Sequence, residues 1–212
     1  MKIYRFVFNH YLVNSYLLTN SANEAVIIDP ACTSASEWQR MKDKLQQEKL
    51  QLKAILITHA HADHIAGVAM AIKDFPTTKL FVHKDGETLY NDYNNYSILM
   101  GFPKQELPAI TDFLTDNPYV DLLGEKIQVL FTPGHAKGSV SYYIPSEKVV
   151  FTGDVLFQQS IGRTDIGGSY EELEHSIQTK LYTLPDDTQV LPGHGDMTEI
   201  GFEKKNNPFV NL

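Results

Sequence analysis

The chain has 212 residues, is 42% apolar and 21% charged, and carries a formal net charge of −8 from 18 basic and 26 acidic residues. A chain this long buries roughly 70% of its unfolded surface without staples, and its one cysteine, Cys32, excludes an internal disulfide and a cysteine-rich zinc site. The acidic balance argues against nucleic acid as a partner. No apolar run approaches membrane-spanning length, and the start lacks an apolar h-region and a cleavage site, so one soluble, cytoplasmic domain over 1–212 is expected.

Residues 3–8, 15–19 and 24–28 read as strands separated by turn-forming residues. Asp29-Pro30 ends the third. Asp29 is either a strand-end turn former or a group that orients a ligating histidine through a hydrogen bond. Residues 34–48 read as a helix with Ser34 or Ser36 as N-cap and Trp38, Met41 and Leu45 at helical spacing. Residues 54–57 form a short apolar run, which reads as a buried strand, and 65–72 read as a short helix packed on it.

Between that strand and that helix lies Thr58-His59-Ala60-His61-Ala62-Asp63-His64. Imidazole nitrogen and carboxylate oxygen are the usual donors to zinc and other borderline divalent metals. His59 and His61 are two apart and project the same way from an extended loop. Asp63 and His64 follow the turn into the helix and can address a second position. Three of the eight histidines fall in six positions at a strand end, a concentration that a merely polar turn does not explain.

Residues 79–83 read as another strand ending in His83. Without a second donor type beside it, His83 reads as a structural histidine, as do His10 and His175. Residues 84–124 are irregular and hold Tyr90, Tyr93, Tyr96, Asn91, Asn94, Asn95, Pro103, Pro108 and Pro118. They form either an excursion that covers a site or a surface insertion with a few buried tyrosines. Residues 126–132, 139–144 and 148–152 read as strands. Residues 169–184 read as a helix with Leu173, Ile177, Leu181 and Leu184 on one stripe, 189–191 as a last strand, and the end as a polar tail. The halves 1–125 and 126–212 both run strands, helix, strand, which hints at a duplicated arrangement.

Three further strand ends carry a polar residue in a glycine-containing turn: Thr132-Pro133-Gly134-His135, Thr152-Gly153-Asp154 and Pro192-Gly193-His194-Gly195. Glycine permits tight turns and close backbone approach, and strand ends hold ligands with the precision a metal needs.

Together, His59-x-His61-x-Asp63-His64, His135, Asp154 and His194 resemble the metallo-β-lactamase superfamily. Ile161-Gly162-Arg163-Thr164-Asp165 and the tail from Glu203 to Phe209 look like its short, bacterial glyoxalase II-like (hydroxyacylglutathione hydrolase-like) branch. The resemblance implies an α/β (α+β) fold, a four-layer αβ/βα sandwich with metals at the sheet ends. It implies one divalent ion held by His59, His61 and His135, and a second by Asp63, His64 and His194, bridged by Asp154. Zinc is the expected ion, and the donors also accept iron or manganese. Asp63 and Asp154 then serve catalysis, and a metal-bound hydroxide attacks an anionic thioester such as S-lactoylglutathione. A thiolate leaves without a strong general acid, because its pKa is only about 8.5.

Arg163, Lys137, Tyr93 and Tyr96 are candidates to meet the substrate. For the lysine the competing reading is ordinary surface charge, and for Arg163 a loop-bracing pair with Asp165 or Asp154. The family's longer members carry a C-terminal helical region that grips glutathione, for which this chain has no room. The rival readings are a one-iron persulfide dioxygenase-like oxidoreductase using His59, His135 and Asp154, a β-lactamase, and a metal-stabilised binding protein.

Overall fold

Three antiparallel strands open the chain in the computed structural model, which describes residues 1–115 and 119–210. They are β1 (Lys2–Phe8), β2 (Val13–Thr19) and β3 (Glu24–Ile28). The helix α1 (Ala35–Gln47) then crosses over to β4 (Gln51–Leu56), which runs parallel to β3. Ser34 is its N-cap: the hydroxyl accepts from the Glu37 amide at 3.2 Å, and Trp38, Met41 and Leu45 form the buried stripe.

The single helix read from 65–72 is in fact two, α2 (Ala62–Ile65) and α3 (Val68–Asp74). The break falls at Gly67. Its amide donates to the Pro30 carbonyl at 2.7 Å, and a Cβ there would lie 2.3 Å from Cys32 Sγ. The chain is pressed onto the segment after β3, so the helix steps sideways. β5 (Lys79–His83) pairs parallel with β4. The irregular stretch that follows is largely helical: a 3₁₀ turn at Lys84–Gly86, α4 (Glu87–Asn91) and α5 (Tyr93–Leu99). It is tied down by Tyr90, whose hydroxyl donates to Pro108 O at 2.8 Å, and by a reciprocal pair between Asn94 and Gln105 at 3.0 and 2.9 Å. It returns through β6 (Asp112–Leu114), parallel to β5. Pro118 lies outside the described residues.

The second sheet starts with β7 (Tyr119–Leu122), β8 (Glu125–Phe131), β9 (Val140–Ile144) and β10 (Val149–Gly153), paired antiparallel in succession. A small hairpin, β11 (Leu156–Phe157) and β12 (Ser160–Ile161), precedes α6 (Tyr170–Ser176), which runs on into a π-helical turn at Ile177–Leu181. β13 (Gln189–Pro192) pairs parallel with β10, and β14 (Thr198–Glu199) closes the edge. The last segment is a helix, α7 (Ile200–Asn206), rather than a polar tail. Its Glu203 is fully buried and accepts from Thr198 Oγ1 at 2.6 Å, Gln159 N at 3.0 Å and Asn207 Nδ2 at 2.9 Å.

The strand orders are β1-β2-β3-β4-β5-β6 and β14-β13-β10-β9-β8-β7. One apolar cluster, with Tyr16, Val26, Leu56, Tyr142 and Phe151, joins the two sheets. A second packs α1 and α3 on the first sheet, and a third packs α6 and the residues after it on the second. The layers are therefore helix, sheet, sheet, helix, the αβ/βα sandwich implied by the motif. The suspected duplication has a structural counterpart: β1-β2-β3-α1-β4 and β8-β9-β10-α6-β13 share one topology, three antiparallel strands and a helical crossover to a parallel fourth. Among the described residues no helix is long and apolar enough to cross a membrane.

Candidate metal centre

The motif residues converge at one end of the sandwich. His59 to His64 follow β4, His135 lies between β8 and β9, Asp154 follows β10 and His194 follows β13. Donor atoms of His59, His61 and His135 all lie within 4.8 Å of one another, and so do those of Asp63, His64 and His194. Within the first group His135 Nε2 is 2.9 Å from His61 Nδ1. Within the second, His64 Nε2 and His194 Nε2 are 3.4 Å apart, and Asp63 Oδ2 is 3.5 Å from His194 Nε2. Asp154 lies between the groups. Its Oδ1 is 3.3 Å from His64 Nε2, and its Oδ2 is 3.4 Å from His194 Nε2 and 3.7 Å from His135 Nε2.

The far side of four of the five rings is held by a specific partner. His135 Nδ1–H donates to the Arg163 carbonyl at 2.7 Å and His194 Nδ1–H to the Tyr11 carbonyl at 2.9 Å. His64 Nδ1–H donates to Asp29 Oδ2 at 2.9 Å. The Thr58 hydroxyl donates to Asp29 Oδ2 at 2.6 Å, so it accepts from His59 Nδ1–H at 3.1 Å. These partners fix the tautomers and turn the Nε2 lone pairs of four rings inward. Asp29 also approaches His59 and His64 closely enough to count as a donor. Its oxygens are already engaged, however, by Thr58 N at 2.8 Å, the Thr58 hydroxyl and His64. It orients the ring.

The turn glycines are used as their positions suggested. A Cβ on Gly193 would lie 2.3 Å from Asp154 Oδ1 and 2.7 Å from His64 Cε1. Asn14 at the start of β2 anchors the same turn. Its amide donates to Gly193 O at 2.7 Å, and its side-chain nitrogen to Pro192 O at 3.0 Å and Gly195 O at 2.9 Å.

This donor set fits a cation. His59 Nε2 is buried without a hydrogen-bond partner, and so is Asp154 Oδ1. The Nε2 atoms of His64 and His194 point into the same space, 3.4 Å apart. Unsatisfied buried acceptors are costly unless a positive charge lies beside them. Burial pushes His59 well down, takes His61 down to about 4 with help from His135, and lowers His135. Burial opposes the charge on His64 as well, but Asp154 and Asp63 hold that ring well above its ordinary value. His194 rises to about 9 against its burial, through hydrogen bonds to Asp154 and Asp63. His64 and His194 in turn keep buried Asp154 well below the usual carboxylate range, and His64 does the same for Asp63 to a smaller degree. Ionised carboxylates and uncharged imidazoles are the forms that bind metal, so a cation at His64 and His194 would displace the protons those rings hold.

A cavity of about 690 Å³ opens over these residues, with His61, Asp63, His135, Asp154 and His194 on its floor. Tyr96 and Lys137 line it. Arg163 lines it too, but its guanidinium is clasped by Asp165, Nε to Oδ1 at 2.7 Å and Nη2 to Oδ2 at 2.6 Å, and its backbone carbonyl orients His135. Tyr93 is buried in the core beneath and is not part of the lining. His83 stacks on Phe131, with centroids 4.4 Å apart, and His10 packs edge-on against Phe102. Tyr11, Thr58 and Asn14 act on the site without having been singled out by sequence. Thr58 adjoins the motif and was open to inspection. Tyr11 acts through a backbone carbonyl, which leaves no mark in a sequence.

Fold and site together define a metallo-hydrolase. The chain belongs to the metallo-β-lactamase superfamily, whose model matches residues 9–194. It is 37% identical over 209 residues to "Hydroxyacylglutathione hydrolase GloC" of Haemophilus influenzae, covering 93% of this chain and 92% of the relative. It is 39% identical over 202 residues to "Probable metallo-hydrolase YqgX" of Bacillus subtilis, with the same coverage. Among solved structures it is similar to the BLEG-1 B3 metallo-β-lactamase, with a TM-score of 0.88, 37% identity and full coverage of both chains. It is also similar to TTHA1623 in a di-iron-bound form, with a TM-score of 0.86, 32% identity, and coverage of 98% of this chain and 100% of that one.

Proposed function

We propose that the protein is a binuclear thioester hydrolase of the glyoxalase II type. The observation that carries the proposal is the placement of Asp154 within 3.7 Å of donors from both histidine groups. One divalent ion is assigned to His59, His61 and His135, the other to Asp63, His64 and His194, with Asp154 shared. Zinc is the preferred occupant, and the donor chemistry also admits iron or manganese. When bound, the pair supplies a water acidified towards neutral pH and an electrophile for the acyl oxygen.

The chain's own residues supply orientation and charge. Asp29, Thr58, Tyr11 and Arg163 fix the rings through their outer nitrogens. Asp63 and Asp154 offset part of the cationic charge, and the remainder draws an anionic substrate into an acidic protein. Lys137 and Tyr96, on the cavity lining, are assigned to the substrate, and Arg163 braces the loop. The thiolate product needs no strong acid to leave, which suits a floor built of metal donors. The similarity to a protein named hydroxyacylglutathione hydrolase supports the same substrate class.

Metal analysis of the purified protein, combined with a hydrolysis assay on S-lactoylglutathione, tests this reading. Two ions per chain and release of free thiol are expected. Full metal loading with no cleavage of this or any longer-acyl thioester overturns the thioesterase assignment. One iron per chain with consumption of oxygen and a persulfide moves the protein to the dioxygenase reading.

A further inference from the structure

The cavity has a second wall, and it is apolar and bare. Leu99 keeps 84% of its surface in solvent, Ile166 52% and Tyr96 46%, with Leu89 and Met100 partly buried beside them. Four of these five come from α4, α5 and the residue after α5, and Ile166 comes from the loop after β12. The wall is fixed rather than loose. Gln105, paired with Asn94, also donates through Nε2 to Ala66 O at 2.8 Å, which ties the α4–α5 segment to the end of α2. Exposed apolar side chains lining a concave site are the mark of a ligand that covers them.

The charges of the same cavity are few. Among the described lining residues the cations are Lys137 and Arg163, and Arg163 is held by Asp165 through both oxygens. Asp85 and Asp92 line the cavity with the opposite sign. Lys137 has no ion-pair partner among the described residues. The lining therefore offers one uncommitted cation beside two carboxylates, enough for a thiol part of net charge about −1. The volume of about 690 Å³ is in the range that encloses a whole drug-sized ligand, acyl and thiol parts together.

We propose that Leu89, Tyr96, Leu99, Met100 and Ile166 form an acyl seat beside the metal donors that selects thioesters with an apolar acyl chain of about four carbons or more, with Lys137 meeting a single anionic group on the thiol part. The proposal rests on the thioesterase reading and narrows its substrate class. The acyl carbon lies over the donors and the chain runs along the wall, covering side chains that are now exposed. Each methylene transferred from water to such a wall raises kcat/KM by about fourfold when fully covered. A half-open wall delivers less.

The test uses the zinc-loaded full chain and a series of acetyl, lactoyl, butyryl and hexanoyl thioesters, each on glutathione and on N-acetylcysteine, which carries one carboxylate. Hexanoyl is expected to exceed acetyl by at least about tenfold in kcat/KM on either thiol, and lactoyl to fall below butyryl. Leu99→Asp and Ile166→Ser change exposed positions, so the fold survives, and each is expected to shrink the hexanoyl-to-acetyl ratio several-fold. A flat or falling series, or an unchanged ratio in both variants, overturns the seat. Calorimetric titration with hexanoate and with lactate separates this outcome from failure of the thioesterase reading. Tighter hexanoate binding that is lost in Leu99→Asp upholds the seat even if no thioester is cleaved, and equal binding of the two acids sinks it.

Discussion

Asp29 Oδ2 lies 2.9 Å from Nδ1 of His64, while the other nitrogen of the same ring faces the metal donors. The carboxylate that meets that second nitrogen, at 3.3 Å, belongs to Asp154. Asp29 follows β3 and Asp154 follows β10, the equivalent third strands of the two repeated units. The duplicated topology thus places one carboxylate on each side of a single imidazole. One copy is buried and bonded to Thr58, and so orients the ring. The other has an oxygen without a hydrogen-bond partner and is available to a cation.

Replacing Asp29 with alanine removes the acceptor from His64 and leaves the Thr58 amide unpaired. Loss of such an outer partner typically costs 10- to 100-fold in metal affinity or activity, and about that loss is expected here. Asp29 has φ +49°, a conformation that asparagine tolerates better than alanine. Asp29→Asn should therefore stay nearer the wild-type melting temperature while still losing affinity. Competition titration against a chromophoric chelator measures the affinities, and wild-type affinity in both variants would show that the contact does not orient the ligand.

Asp154→Ala should be more severe. It removes the group within reach of both donor sets and leaves three histidine nitrogens facing an apolar methyl. An activity loss of at least about 100-fold is expected, with metal content falling below two ions per chain. Elemental analysis alongside the rate assay checks both, and retention of two ions with unchanged rate would mean that Asp154 is not shared.

Part of this candidate site was legible because four of its seven proposed donors fall within six positions. His59 to His64 announce themselves in six positions, and the glycine turns around His135, Asp154 and His194 mark strand ends at which the backbone comes close. What could not be read depends on contacts distant in sequence. The interruption between α2 and α3 follows from Gly67 meeting Cys32 and Pro30. The α7 helix was hidden because its buried side includes Glu203 as well as Ile200 and Gly201, and Glu203 reads as a surface charge until Thr198, Gln159 and Asn207 surround it. Tyr96 and Tyr93 sit three apart in one helix, yet one lines the cavity and the other fills the core. In so short a segment, periodicity is too weak to tell the two faces apart.

Metal removal should lower stability as well as activity. A ligand at 100 times its Kd stabilises the folded chain by about 2.7 kcal/mol. For a chain of this size, about 1 kcal/mol moves Tm by roughly 2–4 °C. Treatment with a strong chelator is therefore expected to lower Tm by roughly 5–10 °C per occupied site, reversed by added zinc. Superimposable scanning-calorimetry traces before and after chelation would show that no ion is held.

Cys32 gives a pH prediction independent of the metal. It is fully buried, and burial, with Glu37 adding repulsion, pushes its thiol up to about 12. In the unfolded chain the thiol ionises near 8.5. The folded state thus binds the proton more tightly, and the stability this contributes is complete below about pH 8.5 and lost as pH rises towards 12. Between those limits each unit of pH should remove up to about 1.4 kcal/mol. Urea titrations across that range, compared with Cys32→Ala, isolate the slope. An aromatic disulfide reagent added to native protein at pH 8 should react only as fast as the chain unfolds, and prompt labelling would contradict the burial.

Gly193→Ala tests whether the site depends on backbone approach as well as on its donors. The new methyl would lie 2.3 Å from Asp154 Oδ1 and 2.7 Å from His64 Cε1. His64 cannot yield, because Asp29 holds its far nitrogen, and the turn cannot retreat, because Asn14 holds Pro192, Gly193 and Gly195. Asp154 must therefore rotate away from the donors. Overpacking of this kind costs about 1–3 kcal/mol, so a Tm lowered by several degrees is expected. Because all seven proposed donors are retained, any accompanying loss of metal content must come from displacement of Asp154. A variant that binds two ions with wild-type affinity would show that the glycine is needed only for the turn.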